Sequence, residues 1–372
     1  MKYLDEFRDG ALAQNLAARI RREVEPGRHY ALMEFCGGHT HAICRHGIED
    51  LLPASVRLIH GPGCPVCVLP SGRLQAAIEL VERERVILCS YGDLLRVPGA
   101  HGDTLLKAKA RGADIRMVYS VSDALDIARR QADRHIVFFA IGFETTTPPT
   151  AVAIRQAQQE GLGNFSVYCN HVLTPPALRA ILATPTPVRL DGCIGPAHVS
   201  TIIGSEPYQF VATEHRRPLV IAGFEPLDVL QAISMLIRQI NAGKAEVENE
   251  YTRAVSAQGN QKAQRLTDEV FVLRPSFEWR GLGRLPDSAL QIRSDFAAWD
   301  AEQRFAIQQI RAADHKACAC GEVLRGIKQP QDCTVFGTAC KPDHPLGSCM
   351  VSAEGACAAH YHYGRFRQAA AS

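Results

Sequence analysis

The stretch Tyr30-Ala-Leu-Met-Glu-Phe-Cys-Gly-Gly-His-Thr-His41 and its successor Val56-Arg-Leu-Ile-His-Gly-Pro-Gly-Cys-Pro-Val-Cys67 share one plan. Each is an apolar run of strand length that ends in a glycine-rich turn carrying cysteine. Short apolar runs bounded by glycine and proline read as buried strands. Glycine has no Cβ, so backbone at such a turn can come close to a small ligand or a metal.

The plan repeats along the chain. Further strands are expected at Val86–Ser90, Ile115–Tyr119, Ile136–Ile141, Ser166–Cys169, Asp191–Ile194 and Leu219–Ala222. Helices are expected at Gly72–Arg85, Asp103–Arg111, Thr150–Glu160, Pro176–Ala183 and Pro226–Asn241. Strands alternating with helices imply right-handed βαβ units and the α/β class. The expected architecture is two similar parallel-sheet α/β domains of about four strands each around a central cleft, over residues 29–134 and 135–242. Residues 1–28 read as an amphipathic helix packed on the body, with Leu4, Phe7, Leu12, Leu16, Ile20 and Val24 near helical spacing. Residues 243–372 are expected to form a third, C-terminal domain that holds an iron–sulfur cluster. In it Lys244–Asp268 reads as helix and linker, Val270–Leu273 as a strand, Asp300–Ala313 as a helix and Gln368–Ser372 as a frayed end.

The unusual residues gather at the carboxyl ends of these strands, in Cys36–His41, Gly61–Cys67, Tyr91–Asp93, Gly142–Thr146, Asn170-His171, Gly195–Ser200 and Gly223–Pro226. That edge is where open parallel sheets bind ligands. Two such edges facing each other make a cleft lined by these turns.

Composition narrows the class. The chain has 372 residues, 46% hydrophobic and 22% charged, with a formal net charge of +2. It has no basic run with interleaved aromatics, which argues against a nucleic-acid partner. No apolar segment approaches the roughly 18 residues a membrane span needs, and Met1–Phe7 lacks the apolar core of a signal peptide. A cytoplasmic protein is expected, where thiols stay reduced. Its 13 cysteines then read as metal ligands, catalytic thiols or core residues rather than as a disulfide framework.

Seven cysteines are spread over the first 200 residues and six fall between Cys318 and Cys357. Six thiols in so short a segment suit an iron–sulfur cluster held by four thiolates, or zinc held the same way. The radical-enzyme spacing Cys-x3-Cys-x2-Cys is absent. Cys64 and Cys67 have the spacing of a redox dithiol or half a zinc site. Cys36 with His39 and His41 offers a metal site or a nucleophile and base, and backbone amides of the adjoining glycines can face an anionic ligand. Cys44, Cys89, Cys169 and Cys193 read as core residues. Glu144, with Thr145 and Thr146, and His198, with Ser200, offer acid–base and hydrogen-bonding groups; Glu144 equally reads as a helix cap near Pro148-Pro149. No phosphate-binding glycine fingerprint follows a strand, so nucleotide use has no support.

Taken together, Cys36-Gly-Gly-His-Thr-His41, Gly61-Pro-Gly-Cys-Pro-Val-Cys67, Gly142-Phe-Glu-Thr-Thr146 and Pro196-Ala-His-Val-Ser200 resemble the motifs of the HypD family, maturation factors of [NiFe] hydrogenases. The spacing Cys318-x14-Cys333-x6-Cys340-x16-Cys357 is similar to that family's [4Fe–4S] ligand set. The resemblance implies a metallocentre-assembly scaffold with redox activity, on which a transient Fe(CN)2(CO) unit is built. It implies a small HypC-type chaperone as partner, cyanide delivered by HypE with HypF upstream, and a monomer working inside a hetero-complex without nucleic acid or membrane. It further implies Cys36 as the iron-binding thiolate with His39 and His41 nearby, Cys64 and Cys67 as a redox pair, and Cys320 and Cys349 as a second dithiol. Two other readings stay open on the residues alone: a cluster-linked thiol–disulfide oxidoreductase, and a zinc-stabilised adaptor without enzymatic activity.

Overall fold

The computed structural model describes residues 5–184 and 190–364; Leu4 and the end expected to fray at Gln368–Ser372 lie outside the described residues. The strands are β1 Tyr30–Glu34, β2 Val56–His60, β3 Ile87–Ser90, β4 Ile115–Met117, β5 Ile136–Gly142, β6 Phe165–His171, β7 Gly192–Gly195, β8 Leu219–Ile221, β9 Val247–Asn249, β10 Phe271–Trp279 and β11 Gly283–Ile292. The first nine build two parallel sheets, with orders β2-β1-β7-β8-β9 and β4-β3-β5-β6.

Both sheets are covered on both faces, and their period-two alternation divides the core accordingly. In the second sheet Leu88, Val137, Phe139, Ile141 and Tyr168 face one core. Ile87, Cys89, Phe138, Ala140, Val167 and Cys169 face the other. In the first sheet Tyr30, Leu32, Leu58, Ile194 and Val220 lie on one side, and Met33, Ile59, Cys193, Leu219 and Ile221 on the other. This two-sided burial is why the strands read as unbroken apolar runs. Each fully buried side chain of the size of Phe138 or Phe139 contributes roughly 1.5–3 kcal/mol.

The sheets do not divide at residue 134. β1 and β2 pair with β7, β8 and β9, while β3 to β6 form a separate sheet inserted between them in sequence. Strand pairing is non-local, so a run of eight similar strands does not reveal that the chain leaves one sheet after β2 and returns at β7. Nor do residues 243–372 stand apart from the first sheet, because β9 within the polar Lys244–Asp268 stretch pairs with β8. The expected strand at Val270–Leu273 is one arm of the antiparallel β10–β11 hairpin, which lies against the end of β6 through Leu173 N–H bonded to the Ser288 carbonyl (2.9 Å).

Three local expectations change. The N-terminal helix, Gly10–Glu23, buries Ala13, Ala17 and Ile20, whereas Leu12 is exposed. The expected helix at Asp300–Ala313 is helical only over Ala301–Arg304. The chain then runs across the start of the Ser71–Glu84 helix, where a Cβ on Gly72 would meet the Ile310 carbonyl oxygen at 1.8 Å. Finally, Cys36-Gly-Gly is a helix start, not a free turn: Gly37–His46 is helical and Cys36 occupies its N-cap. Among the described residues no helix is long and apolar enough to cross a membrane.

Candidate metal centre and adjoining thiols

The carboxyl ends of the two sheets face a cleft of about 510 Å³. From the first sheet come Phe35, Cys36, Gly63 and His198; from the second come Tyr91, Gly92, Asp93, Gly142, Phe143, Thr145 and Thr146; Glu354 arrives from the C-terminal segment. The strand-end turns are thus brought together in large part. Asn170 and His171 are not among them: Asn170 accepts from the Arg73 guanidinium, and His171 Nε2 pairs with Thr150 Oγ1 at 3.0 Å.

Cys36 is the cysteine among the described residues that line this cleft. It is extended (φ −146°, ψ 126°) at the N-terminus of the Gly37–His46 helix, where unpaired amides and the helix dipole favour negative charge. Burial and the neighbouring Glu354 push the thiol up to about 12, while the Gly38 and His198 backbone N–H groups donate toward the sulfur and oppose that rise. Without a cation the group is a neutral thiol. A bound metal cation would reverse the balance and hold it as thiolate.

Two packing features fix Cys36 in place. A Cβ on Gly63 would lie 2.5 Å from the Cys36 nitrogen and 2.6 Å from its Cα, so only glycine allows the two cysteine-bearing turns to touch. Their backbones are joined by Gly37 N–H donating to the Gly63 carbonyl (2.9 Å). Beneath them lies Glu34, fully buried. Its carboxylate accepts from the Cys36 N–H at 2.9 Å and from the Thr40 hydroxyl, and it pairs with His60 Nδ1 at 2.9 Å. Sequence reasoning missed Glu34, although one charged residue inside an apolar strand run was the available signal.

The other expected groups lie as follows. His39 is buried, with Nε2 at 3.0 Å from the Ala222 and Gly223 carbonyls. Nε2–H therefore donates and Nδ1 is left without a partner; burial lowers its pKa, keeping it neutral. His41 Nδ1 lies 3.3 Å from the Ala353 carbonyl, so it contacts the C-terminal segment. His198 lines the cleft against the Phe224 ring, centroids 4.2 Å apart. Glu144 accepts from the Thr174 N–H (2.8 Å) and hydroxyl (3.0 Å), which ties its carboxylate to the start of the Thr174–Ala183 helix. Burial raises its pKa to about 7. Its capping partner is that helix, not the one near Pro148-Pro149.

Cys64 and Cys67 form a disulfide with a Cα–Cα distance of 5.2 Å. Both are buried, and Cys64 caps the short Pro65–Val68 helix. The Cys67 carbonyl accepts from Ser348 Oγ at 3.1 Å, which sets the disulfide against the segment bearing Cys349. Cys349 N–H in turn donates to Cys320 Sγ at 3.3 Å. Cys318, Cys320, Cys333, Cys340 and Cys357 line one small enclosed space, closed by Phe336, Gly347 and Met350. Hydrogen bonding to Cys320 is the first cause that holds both Cys318 and Cys357 well above the ordinary thiol range. Thiols crowded together without a countercharge fit a group that takes them as thiolates, and this donor set suits either an iron–sulfur cluster or zinc.

The profile of the HypD family, described as "Hydrogenase formation hypA family", matches residues 11–364. The chain is 65% identical over 373 residues to the hydrogenase maturation factor HypD of Azotobacter vinelandii, covering 99% of this chain and 98% of that protein. It is 62% identical to HypD of Rhizobium leguminosarum bv. viciae (99% and 97% covered), and 44% identical to HypD of Escherichia coli strain K12 (98% of each covered). The chain belongs to the HypD family of hydrogenase maturation factors.

Proposed function

We propose that this chain is the scaffold on which the Fe(CN)2(CO) unit of a [NiFe] hydrogenase is assembled, with Cys36 supplying the protein's thiolate to the incoming iron. One observation carries the reading: among the described lining residues a single cysteine thiol, Cys36, stands in a cleft between two sheet edges, at a helix N-terminus, with two backbone amides directed at it. Iron carrying cyanide and carbonyl favours soft sulfur donors. The cleft also offers Thr145, Thr146 and His198 as groups able to hydrogen-bond cyanide nitrogen. A HypC-type chaperone would supply a second thiolate to the iron, and cyanide would arrive from a HypE-type donor charged by HypF.

Cys318, Cys333, Cys340 and Cys357 would hold a [4Fe–4S] cluster, with Cys320 and Cys349 as an adjoining dithiol. When bound, such a cluster supplies electrons singly. The Cys64–Cys67 disulfide, on taking two electrons and two protons, opens to two thiols beneath the Cys36 turn. The Ser348–Cys67 bond and the Cys349–Cys320 bond support a continuous path of thiols between the cluster pocket and the cleft.

The disulfide also favours a second reading, a thiol–disulfide oxidoreductase. The two separate by experiment. Assembly on Cys36 predicts infrared bands from cyanide and carbonyl at roughly 1900–2100 cm⁻¹, set by metal–ligand bonding, in chain purified with its small partner, and their loss in Cys36→Ala. An oxidoreductase would turn over a dithiol substrate through Cys64 and Cys67 with Cys36→Ala fully active.

A further inference from the structure

The Glu34 carboxylate also contacts a second group of ligating side chains, none of which lines the cleft. Cys44 on the Gly37–His46 helix, His60 at the end of β2 and His360 from the C-terminal segment are all buried, and their Sγ and imidazole nitrogens lie within 4.8 Å of one another. The two imidazoles are oriented by partners at their outer nitrogens. His60 Nδ1 pairs with Glu34 Oε1 at 2.9 Å, and His360 Nδ1 lies 2.8 Å from the Gln331 amide. Both Nε2 atoms therefore point at the same place, 2.7 Å apart. Cys44 is not in a disulfide.

An imidazole whose outer N–H is held by a carboxylate or amide while its inner nitrogen faces another histidine and a cysteine is the arrangement metal sites use to fix ligand tautomers. We propose that Cys44, His60 and His360 form a binding site for a divalent ion of zinc type, separate from the cleft and from the five-cysteine pocket. The donor set, two imidazoles and one thiolate, suits such a borderline-soft ion. In the metal-free state the Gln331 amide N–H donates to His360 Nδ1 and His360 Nε2–H donates to His60 Nε2, so every group is satisfied. On metal entry Cys44 releases its thiol proton, His360 shifts its proton to Nδ1, and the Gln331 amide turns its oxygen toward it. Amide orientation follows the hydrogen-bond network, so Gln331 can present either its N–H or its oxygen to His360. One proton leaves per ion bound. With bonds of about 2.0–2.1 Å to nitrogen and 2.3 Å to sulfur, the two imidazoles must part slightly and the sulfur draw in.

The ion would tie the cysteine-rich C-terminal segment to the first sheet, since His60 and His360 are 300 residues apart in sequence. The test is zinc content and zinc-edge X-ray absorption on the full chain exposed to zinc chloride and desalted, beside Cys44→Ser and His360→Gln. The expected result is one zinc fewer per chain in each variant, and imidazole scattering with a zinc–sulfur contribution that Cys44→Ser lowers. Circular dichroism identifies a variant that has failed to fold, and the unmutated chain still decides: sulfur-only coordination, or no retained zinc, overturns the proposal. Equal zinc in all three proteins overturns it as well.

Discussion

Replacing Gly63 by alanine probes the contact on which the cleft depends. The new Cβ would sit 2.5, 2.6 and 2.7 Å from the nitrogen, Cα and carbonyl carbon of Cys36. All three are backbone atoms, so no side chain can rotate out of the way. Ordinary contact begins at 3.4 Å, and the turns must therefore separate by about 0.9 Å, an overpacking that costs roughly 1–3 kcal/mol. The same movement weakens the Gly37–Gly63 hydrogen bond, worth about 0.5–1.5 kcal/mol. A loss of about 2–4 kcal/mol is expected in urea unfolding, together with loss of the diatomic infrared bands, because Cys36 moves relative to its amide donors. Gly163, where an added Cβ would meet nothing within 4 Å, is the control: Gly163→Ala should stay within about 0.5 kcal/mol. If Gly63→Ala behaved like Gly163→Ala in both assays, the reasoning that close backbone approach positions Cys36 would be wrong.

Other outcomes follow from the same geometry. Glu144→Gln keeps an oxygen for the Thr174 N–H and should retain assembly, whereas Glu144→Ala should lower stability by about 1–2 kcal/mol; assembly lost in a well-folded Glu144→Gln would assign the carboxylate a chemical role. His171 is held neutral by burial, its pKa lowered from 6.5 to about 4. That contribution is complete above pH 6.5 and fades as pH falls toward 4, amounting to roughly 3 kcal/mol at 1.36 kcal/mol per unit, so His171→Gln should flatten the acid limb of a stability–pH curve. In differential alkylation of the chain in denaturant, Cys64 and Cys67 should stay unlabelled without reductant and then gain one label each after reduction. Cys333→Ala should abolish absorption near about 400 nm, expected of thiolate-bound iron–sulfur clusters, while leaving partner binding intact.

Much of this was legible in the sequence because it is local. Eight of the nine parallel strands were readable from apolar runs such as Ile136–Ile141, whose burial on both faces leaves no polar interruption. The crowded thiols between Cys318 and Cys357 were visible as spacing. What escaped reading depends on contacts far apart along the chain. The pairing of β1 with β7 joins residues some 160 positions apart, and nothing in either strand names its neighbour. β9 has only three half-buried residues, too short for a period-two signal. Glu144 reads as a site residue by its place at a strand end, yet Thr174, thirty residues on, takes its hydrogen bonds. Cys44 looks like a core cysteine because His60 and His360 reach it only once the C-terminal segment has docked.

The central claim is that Cys36 binds the iron under assembly. Its most direct measurement is infrared spectroscopy of this chain purified anaerobically with the proposed HypC-type chaperone, beside the Cys36→Ala variant. Cyanide and carbonyl bands are expected in the first and none in the second, with the visible absorption of the proposed cluster equal in both. Bands at full strength in Cys36→Ala would contradict it.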